Sequence, residues 1–259
     1  MYVTATLVDN RHLGRGSYVL RLSRCEALAE AQPGQFVMLR GEWGRDPLLP
    51  RAFSILRVRP GGECEILAKA VGRGTRLLQL AASGAPLFVL GPLGQRFPAP
   101  DPARTDLLVA GGVGLAPLLW HAEAAQAAGV QKVELFYGAR TSEDLVLLDE
   151  IERAGVRLHL ATEDGSRGLH GRVTAALEQR LHEGARGTIM TCGPNPMMRA
   201  VVSIAKNHGN PCFISVEGEM ACGIGACLGC ALPLRDGTKP FAYACTDGPV
   251  FDASRVEIP

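Results

Sequence analysis

Aromatic residues are scarce in this chain, at 5% of 259 positions, and an excess of either charge is missing, the formal net charge being +1. A chain so close to neutral has no bulk field with which to draw nucleic acid or an anionic membrane surface. No apolar run reaches the length of about eighteen residues that a spanning helix requires. The opening stretch, MYVTATLVDNRH, lacks a basic-then-apolar leader pattern, so the expected location is the cytoplasm. Internal repeats and low-complexity tracts are also missing. The six histidines include no i,i+4 pair of metal spacing, and His121 and His159 fall within a helical and a strand-like segment as packing residues. No nucleophile–base constellation stands out, which leaves hydrolytic chemistry without a candidate. What remains is a soluble, globular balance of 47% hydrophobic and 20% charged residues, long enough for two ordinary domains.

Two patterns divide the chain. Up to residue 98, short apolar runs (YVTATLV, SYVLRL, QFVML, AFSIL, ECEILAKA, PLFVL) are punctuated by Gly, Pro and Asn. That spacing predicts an antiparallel β-barrel or sandwich. One helix, GTRLLQLAA, is predicted from Gly74, with Thr75 as its N-cap. The proline-rich FPAPDPARTD then marks a boundary. Residues 99–216 alternate strand-like and helix-like segments. The predicted helices include APLLWHAEAAQAAG, with Pro117 at its first position, and DLVLLDEIERAG, and they stop at Gly129, Gly155, Gly184 and Gly209. Such alternation predicts a Rossmann-like parallel sheet with helices on both faces. Residues 217–259 show little periodicity and form a third, small unit.

That unit holds Cys222, Cys227, Cys230 and Cys245, spaced C-x4-C-x2-C-x14-C. In a reducing compartment a dense thiol cluster points to metal rather than to disulfides. Structural zinc usually takes two C-x2-C knuckles, and only Cys227 and Cys230 form one. The observed spacing is that of plant-type [2Fe–2S] sites. Gly223, Gly225 and Gly229 allow the backbone to wrap closely around such a centre.

Two stretches of the first unit carry chemistry together. RAFS (Arg51, Ala52, Phe53, Ser54) joins a guanidinium, a ring and a hydroxyl. KAVGRGTRLL brings Gly72, Gly74 and Thr75 to a helix start, where free N–H groups suit an anion. Read alone, RAFS is also an ordinary strand with alternating faces. Together the stretches suit a flavin dinucleotide. In the second unit, Gly111, Gly112 and Gly114 form a glycine-rich turn between strand and helix, short of the full G-x-G-x-x-G fingerprint. No acidic residue follows the second strand, where Arg140 stands instead. TCGPNPMM places Cys192, Gly193 and Pro194 at another strand's carboxyl end, and Glu217 lies just before the thiol cluster. Cys192 and Glu217 are candidates for a place beside the nicotinamide or flavin. The bland readings are a buried thiol and a solvated carboxylate.

RAFS, GGVGLAP and TCGPNPMM, in that order, resemble the landmarks of the ferredoxin–NADP reductase superfamily. CGIGACLGC followed by CTDGPVF narrows the resemblance to the electron-transfer subunits of type B dihydroorotate dehydrogenase. The resemblance implies FAD held by Arg51–Ser54, Leu67, Ala68, Lys69, Gly74 and Thr75, and [2Fe–2S] ligation by the four cysteines. It implies NAD as co-substrate at Gly111, Gly112, Gly114, Cys192, Gly193 and Pro194. It further implies an FMN-containing catalytic partner in an assembly of two plus two chains, with no nucleic acid or membrane partner. Phe53 stands where relatives usually have Tyr, and Lys69 where many have Arg. Two other readings share part of this pattern: an NAD(P)H-dependent ferredoxin- or sulfide-type reductase subunit, and a zinc-stabilised nucleotide-binding module.

Overall fold

The computed structural model describes residues 2–235, 237 and 239–258. Met1 and Pro259, the outer limits of the first and third units, lie outside the described residues, as do Asp236 and Thr238. The first unit contains β1 (Tyr2–Gly14), β2 (Ser17–Leu22), β3 (Phe36–Gly41), β4 (Arg51–Ser54), β5 (Arg57–Val58) and β6 (Cys64–Lys69). Helix α1 (Arg73–Gln79) and strand β7 (Pro86–Leu93) complete it. All pairings are antiparallel, in the order β4-β3-β7-β1-β2-β6-β5. The β1–β2 hairpin turns at Arg15 and Gly16, whose φ values of 49° and 76° match the right-handed twist of the flanking strands. The two edge strands, β4 and β5, are consecutive in the chain. Ile55 and Leu56, both fully buried, carry the backbone from one edge to the other, with N–H groups donating to Gln35 and Glu65 carbonyls. The sheet therefore curls into a barrel around Leu7, Tyr18, Leu20, Val37, Leu39 and Ile66.

The second unit runs β8 (Asp106–Gly111), α2 (Leu115–Ala127), β9 (Val133–Ala139), α3 (Leu148–Arg153), β10 (Arg157–Thr162), β11 (Leu169–His170), α4 (Val173–His182), β12 (Thr188–Cys192), α5 (Asn195–Asn207) and β13 (Cys212–Ser215). Its strands are parallel in the order β11-β10-β9-β8-β12-β13. Helices α2 and α3 pack on one face, and α4 and α5 on the other. The stop residues Gly129, Gly155, Gly184 and Gly209 all adopt positive φ, as chain reversal after a helix requires.

Three local expectations change. Helix α1 begins at Arg73, so Thr75 is its third residue and not its cap. The Thr75 hydroxyl accepts from the Val71 and Gly72 N–H groups at 3.0 Å and donates to the Gly72 carbonyl. Helix α2 begins at Leu115, which puts Pro117 third, still in the turn that needs no N–H. The helix expected from Asp144 is broken. A 3-10 turn covers Ser142–Asp144, Leu147 is left-handed at φ 58°, and only Leu148–Arg153 is α-helical. Leu145, Val146 and Leu147 are buried in the core, and the Val146 N–H donates to the Tyr137 hydroxyl at 3.2 Å. Packing there overrides helical propensity.

The third unit is more regular than its sequence suggests. Strands β14 (Ala231–Pro233) and β15 (Phe241–Tyr243) pair as a hairpin, and β16 (Val250–Asp252) joins the large sheet antiparallel to β13. The expected boundaries fall in the connectors between β7 and β8 and between β13 and β14. Apolar contact runs across all three units. Phe36 and Met38 of the barrel share one core with Leu177 and Val201 of the α4/α5 face and with Cys230 and Cys245.

Candidate functional site

The carboxyl ends of β8 and β12 meet at the point where strand order reverses, the usual ligand crevice of an open parallel sheet. The two glycine turns predicted to bind nucleotide touch there. A Cβ on Gly114 would lie 2.3 Å from the Cys192 carbonyl oxygen, and one on Gly111 would lie 2.9 Å from Pro194 Cδ. Only glycine permits this approach. Gly112, at φ +55°, faces open space instead. The geometry thus brings Gly111, Gly112, Gly114, Cys192, Gly193 and Pro194 into one crevice wall. Arg140 is exposed just beyond β9.

Cys192 is 1% exposed. Burial pushes its thiol well above the ordinary value, and the charge of Glu217 adds to the effect. The Glu217 side chain reaches solvent, yet desolvation by the surrounding walls raises its carboxyl pKa. Cys192 ends β12 opposite Ser215 of β13, and Glu217 follows that strand, near enough for its charge to act on the Cys192 thiol.

On the barrel, Arg51 and Gly74 come from separate stretches and meet. A Cβ on Gly74 would lie 3.1–3.3 Å from the Arg51 guanidinium, whose Nη1 donates to the Leu49 carbonyl at 2.6 Å. Gly72 is open on that side. The Tyr18 hydroxyl donates to the Thr75 carbonyl at 2.7 Å and fixes the helix start. An ordinary half-buried strand alternates buried and exposed residues, but all four of Arg51–Ser54 are half-buried. A strand lying along a groove has this exposure, and the set of guanidinium, ring and hydroxyl fits a flavin dinucleotide. Leu67 and Ala68 differ. Their side chains are in the core and their backbones pair with Val19 and Tyr18. Lys69 Nζ lies 3.1 Å from Asp144 Oδ1 of the neighbouring unit, and burial of that carboxylate is outweighed by its bond to Lys69, which holds it below its usual range. Thr75 shapes the glycine turn through its hydroxyl, as described above.

The four cluster cysteines stand as two pairs. The Cys230 thiol donates to Cys245 Sγ at 3.3 Å, and the Cys227 N–H donates to Cys222 Sγ at 3.4 Å. The Gly225 N–H donates to Cys245 Sγ at 3.2 Å. Among the described residues no three His, Cys, Asp or Glu side chains are gathered as ligands of one ion. N–H groups of Ile224 and Cys227 bring the Cys222 thiol down to about 6, whereas burial and the adjacent Cys230 push Cys245 up to about 11. Sulfurs this close share a proton in the absence of a cation, and a metal that replaces the proton relieves the repulsion. Backbone N–H groups turned toward sulfur are the environment that tunes iron–sulfur centres. The donor set fits a two-iron cluster.

Sequence reasoning missed the Lys69–Asp144 link and a cluster of charges between the units. Arg57 (β5) bonds Glu65 at 2.8 Å, Glu123 of α2 at 2.6 Å and Glu150 of α3 at 2.6 Å. Arg11 also reaches Glu150, and Arg59 reaches Glu65. Nothing in the local sequence signals these partners. His121 and His159 have packing roles, bonded to Asp106 at 2.9 Å and Glu134 at 2.8 Å.

Residues 217–257 match the family described as the iron–sulfur cluster binding domain of dihydroorotate dehydrogenase B. Residues 108–203 match an oxidoreductase NAD-binding domain. The electron transfer subunit of dihydroorotate dehydrogenase B (NAD(+)) from Geobacillus kaustophilus is 37% identical over 97% of this chain and 96% of its own length. The subunit of the same name from Bacillus caldolyticus is also 37% identical, with the same coverage. Among solved structures, an NADH-dependent reduced ferredoxin-NADP oxidoreductase superposes with a TM-score of 0.87 at 29% identity, over 98% of this chain and 90% of that one. A ferredoxin NADP+ reductase from Neisseria gonorrhoeae, solved with bound FAD and NADP, shares the fold, with a TM-score of 0.65 at 20% identity over 80% of this chain and 92% of that one.

Proposed function

The chain belongs to the family of dihydroorotate dehydrogenase B electron transfer subunits, and from that membership we propose that it relays the electrons of dihydroorotate oxidation from a catalytic partner chain to NAD+. The observation that carries this reading is one apolar core shared by Cys230 and Cys245 of the thiol quartet, Phe36 and Met38 of the barrel with Ala52 packed on them, and Val109 and Met198 of the nucleotide unit. Across the whole complex, dihydroorotate gives up two electrons and two protons. NAD+ takes two electrons and one proton, and one proton is released. When bound, FAD supplies the exchange between hydride and single-electron chemistry, and a [2Fe–2S] cluster supplies the single-electron path.

The chain's own residues bind and orient. Arg51 and the Gly72–Gly74 turn would hold the flavin's phosphates, Phe53 would pack on its ring system and Ser54 would bond its edge. Leu67 and Ala68 would contribute backbone, and Lys69 would do so only after leaving Asp144. The joined turns at Gly111–Gly114 and Cys192–Pro194 would seat the dinucleotide. Cys192 keeps its proton on Sγ because burial raises its thiol, so it serves as a neutral wall and not as a base. Glu217 is placed to bond the amide of a nicotinamide or to exclude water from it.

The partner is proposed to be an FMN-containing catalytic subunit, in a two-plus-two assembly within the cytoplasm. No helix among the described residues is long and apolar enough to cross a membrane. Docking at the cluster is supported by its rim, where Cys227 is exposed and Ile224, Leu228 and Phe241 present apolar surface at 57%, 51% and 46% exposure. Such a patch suits a protein interface. The likeness over 98% of the chain to an NADH-dependent reduced ferredoxin-NADP oxidoreductase keeps a sister reductase as the second reading. The match of residues 217–257 to an iron–sulfur family removes the zinc module. The test is co-purification with the dihydroorotate dehydrogenase chain of the same source, followed by flavin, iron and sulfide analysis. One FAD and one [2Fe–2S] cluster per chain, with FMN on the retained partner, is the expected result. FAD and cluster with no such partner would transfer the protein to the sister reductases.

A further inference from the structure

One hold of the cluster segment on the barrel is the corner Gly94–Gln95, at the end of β7. Gln95 makes two bonds to the turn that carries Cys245. Its backbone N–H donates to the Gly248 carbonyl at 2.6 Å, and its side-chain Nε2 donates to the Thr246 carbonyl at 3.1 Å. These acceptors flank Cys245 closely on its C-terminal side. The turn is itself closed by Thr246, Asp247 and Gly248 N–H groups donating to the Tyr243 carbonyl. The Ala244 N–H donates to the Cys230 carbonyl at 3.0 Å, so the corner's hold extends to a second ligand. Gly94 makes the approach possible. At φ +73° its Cβ would lie 2.4 Å from Pro249 Cδ and 2.5 Å from the Gly248 oxygen. Gln35 Nε2 braces the corner from behind, donating to the Gly94 carbonyl at 2.9 Å.

The other cluster loop seats on the same side of the barrel. A Cβ on Gly223 would lie 2.5 Å from Met38 Cγ and 3.0 Å from Leu93 Cδ1. Met38 pairs with Ala52 across the β3–β4 ladder. The loop bearing Cys222 therefore rests on the strand next to the proposed flavin strand, and the turn bearing Cys245 is tied to the end of β7. Gln95 is solvent-exposed and lines neither proposed binding site.

We propose that the Gly94–Gln95 corner sets the position of the Cys245 turn relative to the flavin strand, making Gln95 a positioning residue for the single-electron step. The proposal rests on the relay reading above. The step it concerns moves one electron between flavin and cluster, with no bond made or broken, and its rate falls steeply with separation. A shift of about 1 Å in a positioned group is enough to cost a large factor in rate.

The test uses the FAD- and cluster-loaded chain with Gln95→Glu, which is nearly isosteric but sets an acceptor against the Thr246 carbonyl. Gln95→Asn, one methylene shorter, serves as the milder variant should the first not fold. The expected variant keeps its FAD and cluster and reduces a flavin-directed dye with NADH at the wild-type rate. Hydrogen exchange in residues 243–250 rises, the EPR line shape of the reduced cluster changes, and NADH-driven cluster reduction in anaerobic stopped flow slows by roughly tenfold or more. Cluster reduction at the wild-type rate would overturn the proposal. So would loss of the cluster with flavin retained, because Gln95 would then support ligation and not spacing. A wild-type chain that binds neither FAD nor iron would instead refute the relay reading.

Discussion

Replacing Arg57 by Met tests how the barrel and the nucleotide unit are joined. Arg57 is 12% exposed and bonds three carboxylates, Glu65 from its own unit and Glu123 and Glu150 from the next. Methionine keeps the apolar stem and removes the charge. Breaking a buried ion pair costs about 3–5 kcal/mol when the abandoned partner has no other counter-charge. Here Glu65 retains Arg59 and Glu150 retains Arg11, while Glu123 is already 31% exposed. We therefore expect about 2–3 kcal/mol, which for a chain of this size lowers the thermal midpoint by about 5–10 °C. The pH dependence sharpens the test. Burial alone would raise the Glu150 carboxyl, but hydrogen bonds from Arg11 and Arg57 hold it below its usual range. A depressed carboxylate contributes its full stability above the unfolded value of about 4.3 and loses it only as pH falls through the folded one. The deficit should hold from pH 7 down to about 4.3 and shrink only below that, as the wild-type Glu150 loses its own contribution. Scanning calorimetry of both FAD-loaded proteins across that range measures it. A midpoint within about 1 °C of wild type at pH 7, or a deficit that widens on acidification, would refute the reasoning.

Gly114→Ala should raise the KM for NADH about tenfold or more in dye reduction without displacing FAD, because the added carbon meets the Cys192 carbonyl and drives the two turns apart. Cys222→Ser should abolish the iron–sulfur absorbance while the flavin spectrum and NADH–dye activity persist, and iron analysis beside the visible spectrum checks this. Glu217→Gln removes a carboxyl whose charge acts on the Cys192 thiol at the end of β12. A wild-type pH–rate profile for hydride transfer should show a limb above the ordinary Glu value that flattens in the variant, as read by stopped-flow flavin reduction.

Helix order was legible because each helix of the parallel-sheet unit is followed by a glycine with positive φ, and most of its strands are long enough to read as apolar runs. The thiol spacing was legible because ligands close in sequence must meet the same cluster. Other features depended on distant residues. Leu145–Leu147 read as helix because apolar spacing does not reveal that Tyr137 claims the Val146 N–H. Strand β16 has three residues, too few for any alternation to register, and its assignment comes from pairing with Phe213–Ser215. Lys69 read as a flavin contact through the family resemblance, and Asp144 enters only through the fold. RAFS was ambiguous as a string. The uniform half-burial of its four residues is the exposure of a strand along a groove.

The pairing of β16 with β13 makes the cluster segment an excursion, residues 216–249, that leaves the large sheet and returns to its edge. Closing so long a loop carries an entropic cost, and fastening four thiols to one centre shortens the free chain that must be closed. Metal loading and completion of the sheet are thus thermodynamically linked. In a chain that has not acquired iron, Cys212–Ser215 would more often stand as an open edge, with unpaired backbone donors available to other chains. The thiol quartet and the covered edge at Cys212–Ser215 are thereby two ends of one loop, and what orders one favours the other.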